Sequence, residues 1–285
     1  GQAMTRQWVT SETRGALAVL AAPTTALVVL FVVPFAVLVQ MSMLKFPPNE
    51  TSGLTLGHYR DVITDPLNVK IVLTTFAMVT AAMAVMLLIA LPLAYYMVFK
   101  AGRRELFLLL AIVVADELAP VVRVYAWQVI LGRNGLINSI LPGPPVDWLL
   151  YSPFAVVIAL VTSYITYTTI PIYAAMKAIE PVTLEAATDL GAGLFHQFWR
   201  ILLPLAAPGI LVAAILVYIP MYADFVAADI LGGPSSYMLG QRVRDVILEE
   251  GDWGTGSAMN IVMLGLSGIF ALIAYRLSRL NRMAT

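Results

Sequence analysis

The stretch Glu180–Pro204, EPVTLEAATDLGAGLFHQFWRILLP, is a polar interruption between two long apolar runs, and it decides the fold. Pro181 favours the start of a helix there, because the N–H that proline lacks would have no partner in the first turn. Apolar and small residues then recur at three- and four-residue steps, which predicts one helical face. The residues of that face are Leu184, Ala187, Gly191, Leu194 and Phe198. Gly191 interrupts the helix, so we predict two short helices joined by a bend.

Composition places the rest of the chain in a membrane. Hydrophobic residues make up 60% of it and charged residues 12%, against about 45–50% and about 25% in soluble domains. The formal net charge is zero, so no nucleic acid is predicted as a partner. Cysteine is absent, and the two histidines, His58 and His196, stand in different predicted loops, so no metal site is predicted.

Six apolar runs are long enough to cross a hydrocarbon core about 30 Å thick. Each must be helical, because that core holds no water to satisfy an open backbone. The predicted spans are Ala16–Leu44, Val69–Phe99, Leu106–Leu131, Phe154–Ala178, Ile201–Ile230 and Ser257–Leu277. The predicted fold class is therefore an all-α polytopic membrane protein with six transmembrane helices. We expect one transmembrane domain over 15–280, with tails at 1–14, whose first residues are expected to be an expression artefact, and at 281–285.

Lysine and arginine predict the orientation in the membrane, because they are in excess in cytoplasmic loops. Ten of them lie on the side that holds both termini and the Glu180–Pro204 loop: Arg6, Arg14, Lys100, Arg103, Arg104, Lys177, Arg200, Arg276, Arg279 and Arg282. Six lie on the other side: Lys45, Arg60, Lys70, Arg133, Arg242 and Arg244. Both termini and the polar loop are therefore predicted to be cytoplasmic.

The polar loop carries seven residues at fixed spacing: Glu185, Ala186, Ala187, Gly191, Ile201, Leu203 and Pro204. This pattern resembles the EAA loop of the permease subunits of binding-protein-dependent ABC importers, and we call Glu180–Pro204 the EAA loop. The resemblance implies a cytoplasmic coupling helix that docks on an ATP-hydrolysing subunit. The alternative is an amphipathic helix that lies on the membrane surface.

The resemblance extends over nearly all of residues 15–280 and implies the partners. These are a second permease subunit in a heterodimer, two ATP-binding subunits that bind ATP and Mg²⁺, a periplasmic solute-binding protein, and the lipid of a bacterial inner membrane. The chain itself is expected to need no cofactor and to catalyse no reaction. It has no Gly-x4-Gly-Lys-Ser/Thr loop, because none of its four lysines follows a glycine.

The third predicted span carries two acids in its middle, Asp116 and Glu117, followed by Pro120 and Arg123. An ionised carboxylate at mid-membrane costs about 2.5–3.5 kcal/mol or more, so such residues indicate function. The alternative is a pair with Arg123 that neutralises the charge. The segment around Arg123 and Tyr125 resembles spermidine/putrescine importer permeases, whereas the two acids depart from that branch.

We predict a pathway for the solute along the third to fifth spans. Its candidate residues are Asp116, Glu117, Arg123, Tyr125, Trp127, Thr166, Tyr222, Asp224 and Asp229. The hydroxyls of the fourth span either line this passage or hydrogen-bond between helices.

Asp116, Glu117 and Asp224 outnumber the one embedded base, Arg123, which favours a polyamine or a similar organic cation as the solute. Protonated acids paired through water are the alternative explanation. Two other classes stay open: a secondary transporter that uses the embedded carboxylates as ion sites, and a structural membrane protein, which would need no buried charge.

Overall fold

The computed structural model of the chain describes residues 2–48 and 50–283. Within them lie thirteen α-helices and one two-stranded hairpin. The helices are α1 Gln2–Met43, α2 Gly57–Thr64, α3 Pro66–Phe99, α4 Glu105–Asp116, α5 Pro120–Leu131, α6 Leu136–Ile140, α7 Pro153–Lys177, α8 Pro181–Asp189, α9 Leu194–Gln197, α10 Leu203–Ala223, α11 Val226–Leu231, α12 Leu239–Leu248 and α13 Trp253–Met283. The strands are β1 Leu44–Phe46 and β2 Glu50–Leu54. The prediction of a mostly helical membrane chain is confirmed.

Five stretches of the described chain are long and apolar enough to cross a membrane: Pro23–Met43, Pro66–Phe99, Pro153–Lys177, Leu194–Ala223 and Trp253–Ile273. The remaining predicted span, Leu106–Leu131, is two helices of twelve residues each, α4 and α5, and neither is long enough alone. The count of six spans therefore stays a prediction. The predicted fifth span ends earlier than expected, because α10 ends at Ala223 and Asp224 lies beyond it.

Contacts divide the chain into two compact units. The first runs to Val62 and includes Val246–Ile261, and the second comprises Ile63–Asp245 and the chain from Val262 on. In the first unit β1 and β2 pair antiparallel, with Leu44 opposite Leu54. The ring nitrogens of His58 in α2 form hydrogen bonds with the carbonyl of Leu44 at 2.9 Å and with the hydroxyl of Thr255 at 3.1 Å.

The second unit holds the core that positions the candidate site. Helices α3, α7 and α10 pack on one another, and the hydroxyl of Thr168 in α7 donates to the sulfur of Met86 in α3. Tyr218 of α10 is buried, stacks on Phe270 of α13 and hydrogen-bonds Thr80 of α3 at 2.9 Å. Aromatic stacking and a satisfied hydroxyl together fix this tyrosine between three helices.

Candidate functional site

The third apolar run is broken at Glu117–Ala119, between α4 and α5. Pro120 occupies the first helical position of α5, where its missing N–H costs nothing. Proline also disfavours helical backbone at the residue before it, and Ala119 has a ψ of 132°. The break follows directly from Pro120. It leaves the last carbonyls of α4 without partners inside that helix.

Arg123 supplies those partners from the first turn of α5. Its Nη2 donates to the carbonyls of Asp116 at 3.0 Å, Leu118 at 3.3 Å and Ala115 at 3.4 Å. Its Nη1 donates to the carbonyl of Thr162 in α7 at 3.1 Å. A cation at the C-terminus of a helix also opposes the negative end of the helix dipole. Arg123 therefore binds the C-terminal end of α4 across the break and links it to α7.

Arg123 also pairs with one of the two embedded acids. Its Nη2 lies 3.5 Å from Oδ1 of Asp116, and both side chains are largely buried. The neutralising pair left open by the sequence is thus present for Asp116. Glu117 differs: its side chain is exposed, and no hydrogen bond or ion pair joins its carboxylate to another residue of the described chain.

A cleft of about 470 Å³ opens beside the break, and we call it the acidic cleft. It is lined by Asp116, Glu117, Leu118, Ala119, Pro120, Arg123, Ser163, Tyr164, Tyr167, Leu216, Pro220 and Asp224. Helices α4, α5, α7 and α10 all contribute to it. Three carboxylates face one guanidinium, as the composition of the spans suggests.

Asp224 has both carboxylate oxygens engaged. Its Oδ1 accepts from the backbone N–H groups of Val226 at 3.1 Å and Ala227 at 3.2 Å, which caps α11. Its Oδ2 accepts from the hydroxyl of Tyr164 at 3.3 Å. Glu117 is therefore the one lining carboxylate in the described chain that has no partner.

The structure places the other candidate pathway residues outside the acidic cleft. Tyr125 is exposed on α5, and Trp127 donates from Nε1 to the hydroxyl of Thr162 at 3.0 Å. Thr166 is buried and donates to the carbonyl of Ile112 in α4 at 3.4 Å. Tyr222 is buried against Tyr218.

Asp229 lies in a separate polar network near α12. It accepts from Nε2 of Gln241 at 2.7 Å and pairs with Arg244, which also binds Asp245. Burial raises the pKa of Asp245, but hydrogen bonds from Tyr237 and Arg244 outweigh it and hold that pKa below its usual range. Asp229 is therefore engaged by Gln241 and Arg244 and does not line the acidic cleft.

Ser163, Tyr164 and Tyr167 line the cleft but are absent from the candidate list, although their hydroxyls belong to the fourth predicted span. A spacing of four and three residues instead places Thr162, Thr166 and Thr169 on one face of α7. Those hydroxyls bind carbonyls of their own helix or of α4, and the three threonines line a separate cavity of about 290 Å³ beside α3 and α4. Ser163 and Tyr167 each follow a threonine of that face by one residue, and Tyr164 follows Ser163.

The EAA loop consists of two short helices, α8 and α9, with a bend at Gly191, as the sequence predicts. Gly191 has a φ of +81°, which L side chains rarely adopt. Its N–H donates to the carbonyl of Thr188 at 2.8 Å, and the N–H of Ala192 donates to that of Ala187 at 2.9 Å. These two bonds are the Schellman pattern that ends a helix with glycine.

Gln197 ties the two short helices together, a role the sequence analysis missed. The side chain is buried, and Nε2 donates to the hydroxyl of Thr188 at 2.9 Å and to the carbonyl of Ala192 at 2.7 Å. Residues Phe198–Leu202 then form one π-helical turn that leads into α10. A buried amide with two acceptors in range fixes the angle of the bend.

The EAA loop exposes four large apolar side chains. Leu190 is 89% exposed, and Leu194, Phe195 and Trp199 are also largely exposed, with the two aromatic rings 6.0 Å apart. Leu194 was predicted on one helical face with Ala187 and Phe198, and that prediction is wrong because the bend at Gly191 resets the helical register. Ala187 is buried, and Leu184 and Phe198 pack on the core.

The other matched residues of the EAA pattern divide between surface and core. Glu185 and Ala186 are exposed on α8, whereas Ile201, Leu203 and Pro204 are half-buried where the loop joins α10. Among the described residues, no group of three acidic, histidine or cysteine side chains is placed to hold a metal ion.

Residues 13–280 match the family described as binding-protein-dependent transport system inner membrane component. The chain is similar to the spermidine/putrescine transport system permease protein PotB of Haemophilus influenzae, with 31% identity over 80% of this chain and 80% of that protein. It is also similar to PotB of Escherichia coli, with 29% identity over 79% of this chain and 83% of that protein.

Its fold is similar to a chain of a bacterial alginate ABC transporter solved in complex with an alginate pentasaccharide-bound periplasmic protein. The TM-score is 0.76 at 17% identity, over 95% of this chain and 96% of that chain. At this identity the likeness concerns the fold alone.

Proposed function

Because the chain belongs to the family of binding-protein-dependent transport system inner membrane components and is a permease subunit of an ABC importer, we propose that it forms half of a pore for organic cations. The solute class is polyamine-like, and ATP hydrolysis on partner subunits drives its uptake. A second, different permease subunit completes the pore. A periplasmic solute-binding protein delivers the solute.

The EAA loop is the coupling element in this proposal. Its exposed apolar surface, centred on Leu190, Phe195 and Trp199, is suited to a groove on an ATP-binding subunit. The Schellman turn and the Gln197 bonds make the loop one rigid piece, so displacement of α8 moves α10 through the π-helical turn. Rigidity of this kind is what transmission of a movement requires.

The proposal for the solute class rests on the acidic cleft. Within the described residues Glu117 has no partner, and Asp116 and Asp224 bring the lining carboxylates to three against the single guanidinium of Arg123. Interrupted membrane helices are a recurrent way to build a solute site. Tyr164 and Tyr167 add aromatic surface, which attracts organic cations. The names of the PotB relatives agree with this chemistry.

Embedded carboxylates also suit a secondary transporter, but the family assignment favours coupling to a separate ATPase. The two are distinguished by purification from membranes of cells that express the whole system. An importer permease brings down an ATP-binding subunit and a second permease subunit. A secondary transporter takes up solute alone in liposomes without ATP.

The orientation is part of the proposal: the EAA loop and both termini face the cytoplasm. The chain has no cysteine, so single cysteines report sidedness directly. Thr183→Cys on α8 and Ser139→Cys on the opposite side both place the thiol at an exposed position. In sealed cells an impermeant maleimide should label Ser139→Cys and leave Thr183→Cys unlabelled until the cells are opened. The reverse pattern would invert the orientation.

The solute class is tested with the assembled importer and the solute-binding protein encoded alongside it. Spermidine should stimulate ATP hydrolysis, and an anionic solute such as citrate should not. Glu117→Gln should lower the spermidine-stimulated rate about tenfold, the effect of one charge-assisted contact of about 1.5 kcal/mol. Asp147→Asn is the matched control, because that carboxylate is 68% exposed and pairs only with Arg133. Stimulation by citrate alone, or an unchanged spermidine-stimulated rate in Glu117→Gln, would contradict the proposal.

A further inference from the structure

Helix α4 is held to the rest of the second unit by few contacts. None of its twelve side chains is buried, and Leu106, Phe107 and Val114 are more than half exposed. Its C-terminal end is fixed by Arg123, and its middle by the single bond from Thr166 to Ile112. A helix with so little apolar contact depends on its polar contacts for position.

The N-terminal end of α4 is fixed by a cluster of three polar side chains, which we call the Glu105 cluster: Glu105, Tyr173 and Lys177. Nζ of Lys177 donates to both oxygens of Glu105, at 2.6 and 2.8 Å, and the hydroxyl of Tyr173 donates to Oε1. The hydrogen bond from Lys177, and then that from Tyr173, hold the pKa of Glu105 below its usual range. The pair therefore stays charged at cytoplasmic pH.

The position of the Glu105 cluster connects the two parts of the candidate site. Lys177 is the last residue of α7, and α8 of the EAA loop begins at Pro181. Glu105 is the first residue of α4, and α4 ends at Asp116 in the acidic cleft. Over eleven steps at 1.5 Å each, that is about 16 Å of continuous helix.

We infer that the Glu105 cluster transmits displacement of the EAA loop to the acidic cleft, by making α4 move with the end of α7. This rests on the proposed ATP-driven coupling through the EAA loop. Glu105, Tyr173 and Lys177 are positioning residues: they lie at the far end of α4 from the acidic cleft. Without the cluster, Arg123 and the Thr166 hydrogen bond still join the other parts of α4 to α7, but the N-terminal end of α4 no longer follows the end of α7.

The test measures spermidine uptake and ATP hydrolysis in parallel, on the full importer with its binding protein in liposomes. Glu105→Gln and Lys177→Met should each lower the uptake per ATP hydrolysed by about fivefold, the lower range of a coupling between two sites. ATP hydrolysis itself should continue. Tyr173→Phe, which keeps the ion pair, should lower the ratio by less. Arg133→Met is the control, because it removes an exposed pair elsewhere in the same unit and should leave the ratio unchanged.

The charge reversal Glu105→Lys/Lys177→Glu separates transmission from folding. It restores the pair and should recover part of the ratio, but not all, because each reversed charge opposes the dipole of its own helix. A ratio that stays at the wild-type value in Glu105→Gln, Lys177→Met and Tyr173→Phe, or a reversal that recovers nothing, would overturn the inference. Glu185→Lys is measured beside them: if it leaves uptake normal, the coupling proposal fails and the inference fails with it. If Glu185→Lys abolishes uptake and the cluster variants leave the ratio intact, the inference alone fails.

Discussion

Two interruptions of helical structure define this chain, and they are closed in opposite ways. At Gly191 the helix ends on its own backbone, through a residue with positive φ and two main-chain hydrogen bonds. At Pro120 the helix ends with carbonyls open, and the guanidinium of Arg123 binds them. The first end is complete within six residues. The second depends on a charged side chain that also contacts α7.

The difference matches what each region is proposed to do. A self-contained turn keeps its shape when a partner subunit pushes on it, which suits a coupling loop. An end closed by a cation beside free and paired carboxylates is sensitive to any other cation that enters. The turn at Gly191 therefore suits transmission of a movement, and the helix end at Pro120 suits a passage for solute.

Arg123→Met should give the largest effect, because it opens the second interruption. It leaves Asp116 without its counter-charge and the carbonyls of α4 without donors. We expect a loss of about 3 kcal/mol in the free energy of unfolding, the lower end of the cost of breaking a buried pair. The midpoint of thermal unfolding in detergent measures it. Arg123→Met/Asp116→Asn should recover part of the loss, and a double variant as unstable as the single one would contradict the pairing.

Gly191→Val should give the next largest effect, because it places a β-branched residue at a φ of +81°. The strain is about 1–2 kcal/mol, and it should abolish uptake while the protein stays in the membrane. Gly193→Val is the matched control: its φ is −67°, and an added Cβ meets nothing within 4 Å at either glycine. Equal loss in both variants would mean that the effect comes from bulk rather than from backbone conformation.

Gln197→Ala should give the smallest effect of the three. It removes two hydrogen bonds inside the EAA loop but leaves the Schellman turn intact. Each of the two hydrogen bonds contributes about 1 kcal/mol, and with the Schellman turn in place uptake should fall several-fold rather than vanish. Gln197→Glu keeps the shape but loses the donor and should behave like Gln197→Ala. Full activity in both variants would show that the turn alone fixes the bend.

The same contrast explains what the sequence predicts and what it does not. The bend at Gly191 and the break at Pro120 follow from backbone preferences of single residues, and the bend appears where predicted. The partner of Arg123, the burial of Gln197 and the free carboxylate of Glu117 depend on side chains brought together from different helices. Spacing alone cannot place them.

The remaining differences have the same origin. The third apolar run has the length of a span, and Pro120 divides it into two helices of twelve residues, so that the count of six spans stays a prediction. Leu194 has the spacing of an inner position, but Gly191 turns it outward. The hairpin β1–β2 is too short for its alternation to be distinguished from turns. In each case one local residue or a short length overrides the periodicity of its neighbours.

The central claim, that the acidic cleft attracts a cationic solute, is tested most directly by a thiol placed in the cleft. Ser163 lines the cleft and carries no charge, and Ser163→Cys would be the only cysteine of the chain. In the assembled importer a cationic methanethiosulfonate should modify it at least about tenfold faster than an anionic one, the factor that 1.4 kcal/mol of electrostatic preference gives. Spermidine delivered by the binding protein should slow the modification, and Glu117→Gln should reduce the preference. Equal rates for the two reagents, or faster modification by the anion, would contradict the claim.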